Sequence, residues 1–200
     1  MSHSPIYVYC VLGGPGSGKS TISKAISKIY AFKLIKIGDM IEKFCKNKKL
    51  PLDESTREII HDCQSNGTLI PDFNVVILVH SALIWEKSVN RIFNFVLDGF
   101  PRTKMQLESF IINGHDIVIE AIIFLSAPDK VMWERYSNRR KDKKSDDKLF
   151  ETKVNAFKEF TLPIKDMVKP PIVCLNINTE DTVSVNLRFI TDKLKLNVKN

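Results

Sequence analysis

Four of the chain's 8 glycines fall in six consecutive positions, within the run Gly13-Gly14-Pro15-Gly16-Ser17-Gly18-Lys19-Ser20-Thr21. Gly13, Gly18, Lys19 and Ser20 satisfy the pattern G-x-x-x-x-G-K-[ST], which carries meaning only after a strand and ahead of a helix. Both flanks are present: Ile6 to Leu12 is a short apolar run of strand character, and Lys19 to Tyr30 has helical periodicity. Backbone N–H groups can surround phosphate oxygens only where no β-carbon obstructs them and left-handed φ angles are open, conditions that glycine meets. The helix starting at Lys19 aims its unpaired N–H groups and the positive end of its dipole at the same point. Lys19 then reaches the β- and γ-phosphates and the Ser20 hydroxyl ligates Mg²⁺, so Gly14 to Thr21 read as the cradle of a magnesium nucleoside triphosphate. A tight strand-to-helix turn alone would need the glycines but not the Lys19-Ser20 pair.

The rest of the chain alternates short apolar runs with amphipathic segments, the pattern of an α/β fold whose parallel sheet is covered by helices. Strands are predicted at Ile6 to Leu12, Lys33 to Ile37, Phe93 to Leu97, Ala121 to Leu125 and Ile172 to Asn176. The clearest helices are Lys19 to Tyr30, Asp129 to Arg140, Asp147 to Val168 with a bend or break at Pro163, and Asp181 to Leu196 behind a Thr179 cap. Roughly 55 residues separate the second and third strands, far more than one crossover helix requires. Helical pieces near Ser55 to Ser65 and Asp72 to Lys87 make that excess a small helical insertion.

Several classes are excluded. With 200 residues, 44% of them hydrophobic and 26% charged, the chain is a single globular domain rather than a disordered or fibrous one. No apolar run approaches the roughly 18–20 residues of a membrane helix. The first strand begins a few residues after Met1, which leaves no room for a leader and points to the cytoplasm. Cys10, Cys45, Cys63 and Cys174 are widely separated and read as reduced thiols. The net charge of +7 rests on lysines scattered over the surface, with only 7 Arg, and no basic stripe interleaved with aromatics signals nucleic acid.

A second informative segment runs Asn94-Phe95-Val96-Leu97-Asp98-Gly99-Phe100-Pro101-Arg102-Thr103-Lys104-Met105-Gln106. Asp98 ends an apolar strand, and at the carboxyl end of a strand beside the phosphate loop it can hold Mg²⁺ through water. With the glycine loop, the stretch Asp98 to Gln106, D-G-F-P-R-T-x-x-Q, resembles the adenylate kinase-like nucleoside monophosphate kinases of the short-lid type. Gly38-Asp39-Met40, Gly67-Thr68-Leu69-Ile70-Pro71, the pair Arg135 and Arg139, and Asp146-Asp147 extend the likeness over nearly the whole chain.

The resemblance implies a P-loop NTPase-type five-stranded parallel sheet. It also implies one kinase domain, with a core of 1–37, 81–139 and 148–200, a monophosphate-binding insertion at about 38–80 and a lid at about 140–147. Its chemistry is transfer of the γ-phosphoryl group of Mg·ATP to a nucleoside monophosphate. By family position Lys19 follows the transferred group, Arg102 holds the acceptor phosphate, Arg139 neutralises developing charge and Arg135 lies against the ATP base. Ile37, Gly38, Met40, Ile70, Gly99, Arg102 and Gln106 form the acceptor site. The family likeness further implies a monomer.

Three positions depart from the family. Glu42 stands where a second acceptor-phosphate arginine is expected, and Lys144 and Asn155 correspond by spacing to two further arginines. Charge is reversed, kept without its bidentate geometry, and lost, respectively. Gln106 matches the glutamine with which adenylate kinases read adenine, which favours AMP, whereas Ile37 matches neither adenylate kinases nor UMP/CMP kinases. A UMP/CMP kinase, or a nucleotide-binding relative with little transfer activity, are the alternatives.

Overall fold

The computed structural model describes residues 4–46, 54–138 and 146–195. Its elements run β1 (Ile6–Gly13), α1 (Lys19–Tyr30), β2 (Lys33–Lys36), α2 (Ile37–Lys46), α3 (Glu54–Asn66), α4 (Asp72–Asn90), β3 (Asn94–Asp98), α5 (Lys104–Asn113), β4 (Ile117–Ser126), α6 (Asp129–Ser137), α7 (Asp146–Ala156), β5 (Val173–Asn178) and α8 (Val183–Leu194). The five strands form one parallel sheet in the order β2-β3-β1-β4-β5, the α/β architecture expected.

β1 is apolar and buried along nearly its whole length, as a strand covered on both faces must be. Its side chains alternate between two cores. Val8, Cys10 and Leu12 join Phe95, Leu97, Phe124 and the α4 residues Val75 and Val79 on one face. Tyr9 and Val11 join Ile22, Ile26 and Tyr30 of α1 and Ile190 of α8 on the other. Each such side chain taken fully out of water stabilises the fold by about 1.5–3 kcal/mol, and β1 is the one strand flanked on each side by two others.

The differences from the expected elements have local causes. β4 starts four residues earlier than predicted because Glu120 is a bulge: Val8 pairs with Ile119 and Tyr9 with Ala121, leaving Glu120 outside the register. Ile37 is not the end of β2 but the first residue of α2, a helix that Gly38 hid in the sequence. Thr179 does not cap the last helix. Thr182 does, its hydroxyl accepting from Val185 N–H. Past α7 the chain stays helical but changes type, passing through a π stretch at Phe157–Thr161 and a 3₁₀ stretch at Leu162–Met167. Pro163 lies there, without the N–H that an α-helical ladder needs. The sixth helix ends at Ser137, and the lid at about 140–147 lies mostly outside the described residues, as does Arg139.

Among the described residues no helix is long and apolar enough to cross a membrane. Trp133 packs against Phe150 with ring centroids 5.1 Å apart, while Trp85 is 56% exposed on α4.

Candidate active site

Ligand sites of open parallel sheets form beyond the carboxyl ends of the strands, where neighbouring connections diverge. The register puts two of the singled-out segments at that edge: Val11 of β1 pairs with Asp98 of β3, so the phosphate loop and Asp98 leave the sheet side by side.

The loop itself is built on close approach. A β-carbon on Gly16 would overlap the Met132 carbonyl of α6, and Gly16 has φ 74°, so this position accepts only glycine without rearrangement. Gly18, at φ 87°, caps α1 with no side-chain bond, leaving the first N–H groups of the helix pointing at the loop. Lys19 folds back over the loop, its Nζ donating to the carbonyl oxygens of Gly13 at 2.6 Å and Gly14 at 2.7 Å. The Ser20 hydroxyl donates to Asp98 Oδ2 at 2.7 Å. Ser17 is fully buried within the loop and Thr21 follows on the first turn of α1, its N–H donating to the Gly18 carbonyl at 3.0 Å.

The Ser20–Asp98 contact tests the site for Mg²⁺. It gathers one hydroxyl and one carboxylate, hard oxygen donors of the kind the ion takes. Among the described residues no group of three or more His, Cys, Asp or Glu could hold a metal. A cation here would therefore draw most of its ligands from phosphate oxygens and water, as Mg²⁺ bound with a nucleotide does. The residues fit the group.

Beyond Asp98 the chain turns at Gly99, whose N–H donates to the Val11 carbonyl at 3.0 Å. Arg102 is exposed and folds over that turn, Nε donating to the Gly99 carbonyl at 3.0 Å. Its backbone carbonyl accepts from the Thr161 hydroxyl at 2.8 Å, so the π stretch after α7 is tied to the loop that carries the guanidinium. Sequence reasoning missed Thr161 altogether, because nothing local distinguishes a threonine aimed 59 residues away.

It also missed α5. Thr103 caps this helix by accepting from Gln106 N–H at 3.0 Å, and T-x-x-Q is a capping-box signature that was available in the sequence. Gln106 completes the box one residue further back than usual, its Oε1 accepting from Arg102 N–H at 2.7 Å, while Nε2 donates to Asp72 Oδ1 at 2.9 Å. It is 1% exposed. The residue whose sequence position points to adenine thus also has a capping role.

A cleft of about 990 Å³ opens beside this box, lined by Ile70, Asp72, Thr103, Met105, Asn155 and Phe160 among others. Gly38 faces open space, Met40 and Ile70 are partly buried against the core, and Ile37 lies deeper at 2% exposure. Glu42 pairs with Lys46 one turn along α2 at 2.5 Å, which offsets its reversed charge locally, and Lys43 is exposed. Asn155 borders the cleft and also a second one of about 590 Å³ between α6 and α7.

Arg135 is half-buried on α6 and donates to the Thr179 hydroxyl at 3.1 Å and the Thr179 carbonyl at 2.7 Å. Thr179 in turn lies 3.9 Å from where a β-carbon on Gly18 would stand, so Arg135 is held next to the start of α1. The structure brings Lys19, Ser20, Asp98 and Arg102 to one edge of the sheet, with Arg135 on the far side of the loop.

The family model "Adenylate kinase" matches residues 11–192. A uridylate kinase of Saccharomyces cerevisiae is 27% identical over 198 residues, 97% of this chain and 93% of that enzyme. An adenylate kinase of Kosmotoga olearia is 36% identical over 132 residues, 65% of this chain and only 58% of that enzyme. A UMP-CMP kinase of Lentinula edodes is 28% identical over 176 residues, 80% of this chain and 73% of its own length.

Proposed function

The chain belongs to the adenylate kinase family, and we propose that it is a nucleoside monophosphate kinase moving the γ-phosphoryl group of Mg·ATP to a nucleoside monophosphate, with AMP the favoured acceptor. The convergence of the Lys19 ammonium, the Ser20–Asp98 pair and the Arg102 guanidinium at the carboxyl ends of β1 and β3 supports this reading.

Such a transfer asks the protein for position and charge neutralisation rather than covalent chemistry. Lys19 would exchange the carbonyls of Gly13 and Gly14 for oxygens of the transferred group. The Ser20 hydroxyl would ligate Mg²⁺ directly and Asp98 through water, and the ion would supply charge neutralisation for the nucleotide phosphates. Gly14, Gly16 and Gly18 would supply N–H groups with no side chain in the way, with Pro15 and Ser17 shaping the loop between them, and Thr21 would continue the helix behind them. Arg102 would grip the acceptor phosphate with its fork, Arg135 would lie against the adenine of ATP, and Arg139 would neutralise charge as the phosphoryl group passes. Ile37, Gly38, Met40, Ile70, Gly99 and Gln106 would form the acceptor pocket. In this reading the chain works as a cytoplasmic monomer with no nucleic-acid or membrane partner.

UMP or CMP is the second reading for the acceptor, favoured by the full-length likeness to the Saccharomyces uridylate kinase. The test is steady-state transfer from Mg·ATP to AMP, CMP, UMP and GMP, beside Lys19→Met. Turnover with one acceptor, lowered at least about a hundredfold in the variant, supports the kinase reading. No turnover above the variant with any acceptor, in protein that binds Mg·ATP, overturns it in favour of a nucleotide-binding relative.

A further inference from the structure

α4 has apolar residues on its outer side as well as its inner one. Val75, Val76, Val79 and Leu83 are buried, yet Phe73, Ile77, Trp85 and Val89 are exposed, Phe73 at 71% and Val89 at 59%. A helix that is apolar all round belongs in an interior, and this one is covered on a single side. Its charged residues do not make the outer side polar. Asp72 accepts a hydrogen bond from Gln106, Glu86 pairs with Lys33 at 2.9 Å and Lys87 with Asp116 at 3.5 Å, all within the chain. No exposed position of α4 carries a charge, in a chain that is 26% charged. Loss of charge together with aromatic side chains marks the centre of an association surface.

The exposed residues are also ordered. Phe73, Ile77, Ser81, Trp85 and Val89 recur every four residues, and Ser81 is the middle of the 19-residue helix. Such a row is the ridge of the commonest helix-packing class, in which two rows of this spacing interdigitate with axes about 50° apart. The row reads alike from both ends, with large apolar residues four and eight positions either side of a small centre. A surface of that kind is complementary to itself about a two-fold axis, which is what an isologous pair requires. With the axis at Ser81, Ile77 of one copy lies against Trp85 of the other, and the small serine lets the two helices approach closely.

α5 runs beside α4, tied to it by the Asp72–Gln106 bond and by the packed rings of His80 and Phe110. Its outward residues Met105 and Ile112, 66% and 69% exposed, widen the apolar face. Together with Ile84, the exposed apolar side chains of α4 and α5 present roughly 700 Å² to solvent, against about 800 Å² per partner in a standard specific interface and under about 400 Å² in a chance contact. Each copy has a net charge of +7, so two copies repel wherever their charged surfaces meet. On this face they meet without charge.

We infer that the outer face of α4, widened by α5, is the contact of a reversible two-fold pair of this chain. Each copy keeps its own phosphate loop and Asp98, and dilution returns the pair to single chains, so the inference goes beyond the proposed function and does not rest on it. An apolar contact between like-charged copies tightens with salt.

The experiment is sedimentation equilibrium of the full chain from about 1 to 200 μM, at low and high NaCl, beside Ser81→Glu and Phe189→Ser. Ser81 is exposed, so Ser81→Glu leaves the core intact and sets two carboxylates against each other at the axis. Phe189→Ser removes an exposed apolar residue of α8, away from the face. The apparent mass rises with concentration from 22.9 kDa to twice that value and stops there. The dissociation constant falls with added salt, grows at least about tenfold in Ser81→Glu and is unchanged in Phe189→Ser. The mass of one chain throughout, growth beyond two copies, a pair that loosens with salt, or a pair that Ser81→Glu leaves intact overturns the inference. So does a single chain that cosediments with phosphatidylcholine vesicles, which puts a lipid surface on this face. Should Ser81→Glu fail to fold, Trp85→Ser, also at an exposed position, decides by the same readout. Transfer assays on the same samples judge the kinase reading separately: a pair without transfer sinks that reading alone, and transfer by chains that never pair sinks this one alone.

Discussion

The Ser20 hydroxyl and the Asp98 carboxylate, 78 residues apart in the chain, meet at 2.7 Å where β1 and β3 leave the sheet. The contact joins the glycine-rich motif that begins α1 to the motif that runs from β3 into α5. Ser20→Ala removes the proposed Mg²⁺ ligand and leaves α1 intact, so kcat falls about 10–100-fold and recovers in part at high Mg²⁺. Asp98→Asn keeps a hydrogen bond to Ser20 but loses the charge, and transfer falls about 100-fold or more with little change in the thermal midpoint. Initial rates across a magnesium titration, beside thermal melts, check both.

Thr161 is 4% exposed and donates to the Arg102 carbonyl. Thr161→Val keeps the shape of the side chain and strands that carbonyl, a cost of roughly 1–3 kcal/mol if water cannot reach it. The expected outcome is a lower thermal midpoint together with a raised KM for the monophosphate and an unchanged KM for ATP. Equal effects on both substrates would mean that the bond serves stability alone.

Gly16 sits at φ 74° with the Met132 carbonyl where a methyl would go. Gly16→Ala requires a left-handed residue, roughly 1–2 kcal/mol, and displaces α6 from the loop. Binding of Mg·ATP is lost and the thermal midpoint drops by at least about 5 °C. Isothermal titration and a melt measure the two effects independently.

His80 packs against Phe110, with ring centroids 4.7 Å apart, and burial pushes its pKa below the ordinary histidine value of 6.5 despite a backbone bond at Phe110. Above pH 6.5 the ring is neutral both folded and unfolded and has no effect on the balance. As pH falls below 6.5 the unfolded chain takes up a proton that the folded one refuses, so stability declines until the folded pKa is reached. Denaturant midpoints from pH 8 to pH 5 should fall more steeply for the full chain than for His80→Gln.

The sequence made the phosphate loop, β1 and α1 legible because their signals are local: glycines that need an open backbone, an apolar strand, a helix with one buried stripe. Asp98 and Arg102 were legible for the same reason, as parts of one short segment. Contacts between distant segments were not. Thr179 looked like a cap because it precedes a helix, yet it is spent on Arg135 and the Ser126 carbonyl, and the cap falls to Thr182. Glu120 looked like the outside of a strand, since a charged residue ends an apolar run in the sequence but is tolerated as a bulge in the sheet. Gln106 was read for the base it might meet and not for the helix it caps, although both readings start from the same residue.

β1 acts as a ruler for the molecule. Its alternation deals successive residues to two separate cores, and its last residue fixes the level at which the phosphate loop begins. One residue added within it would exchange the contents of the two cores and swing Lys19 and Ser20 to the wrong side of the sheet. Length can change in the connections of this fold, but this strand has a parity that must be kept.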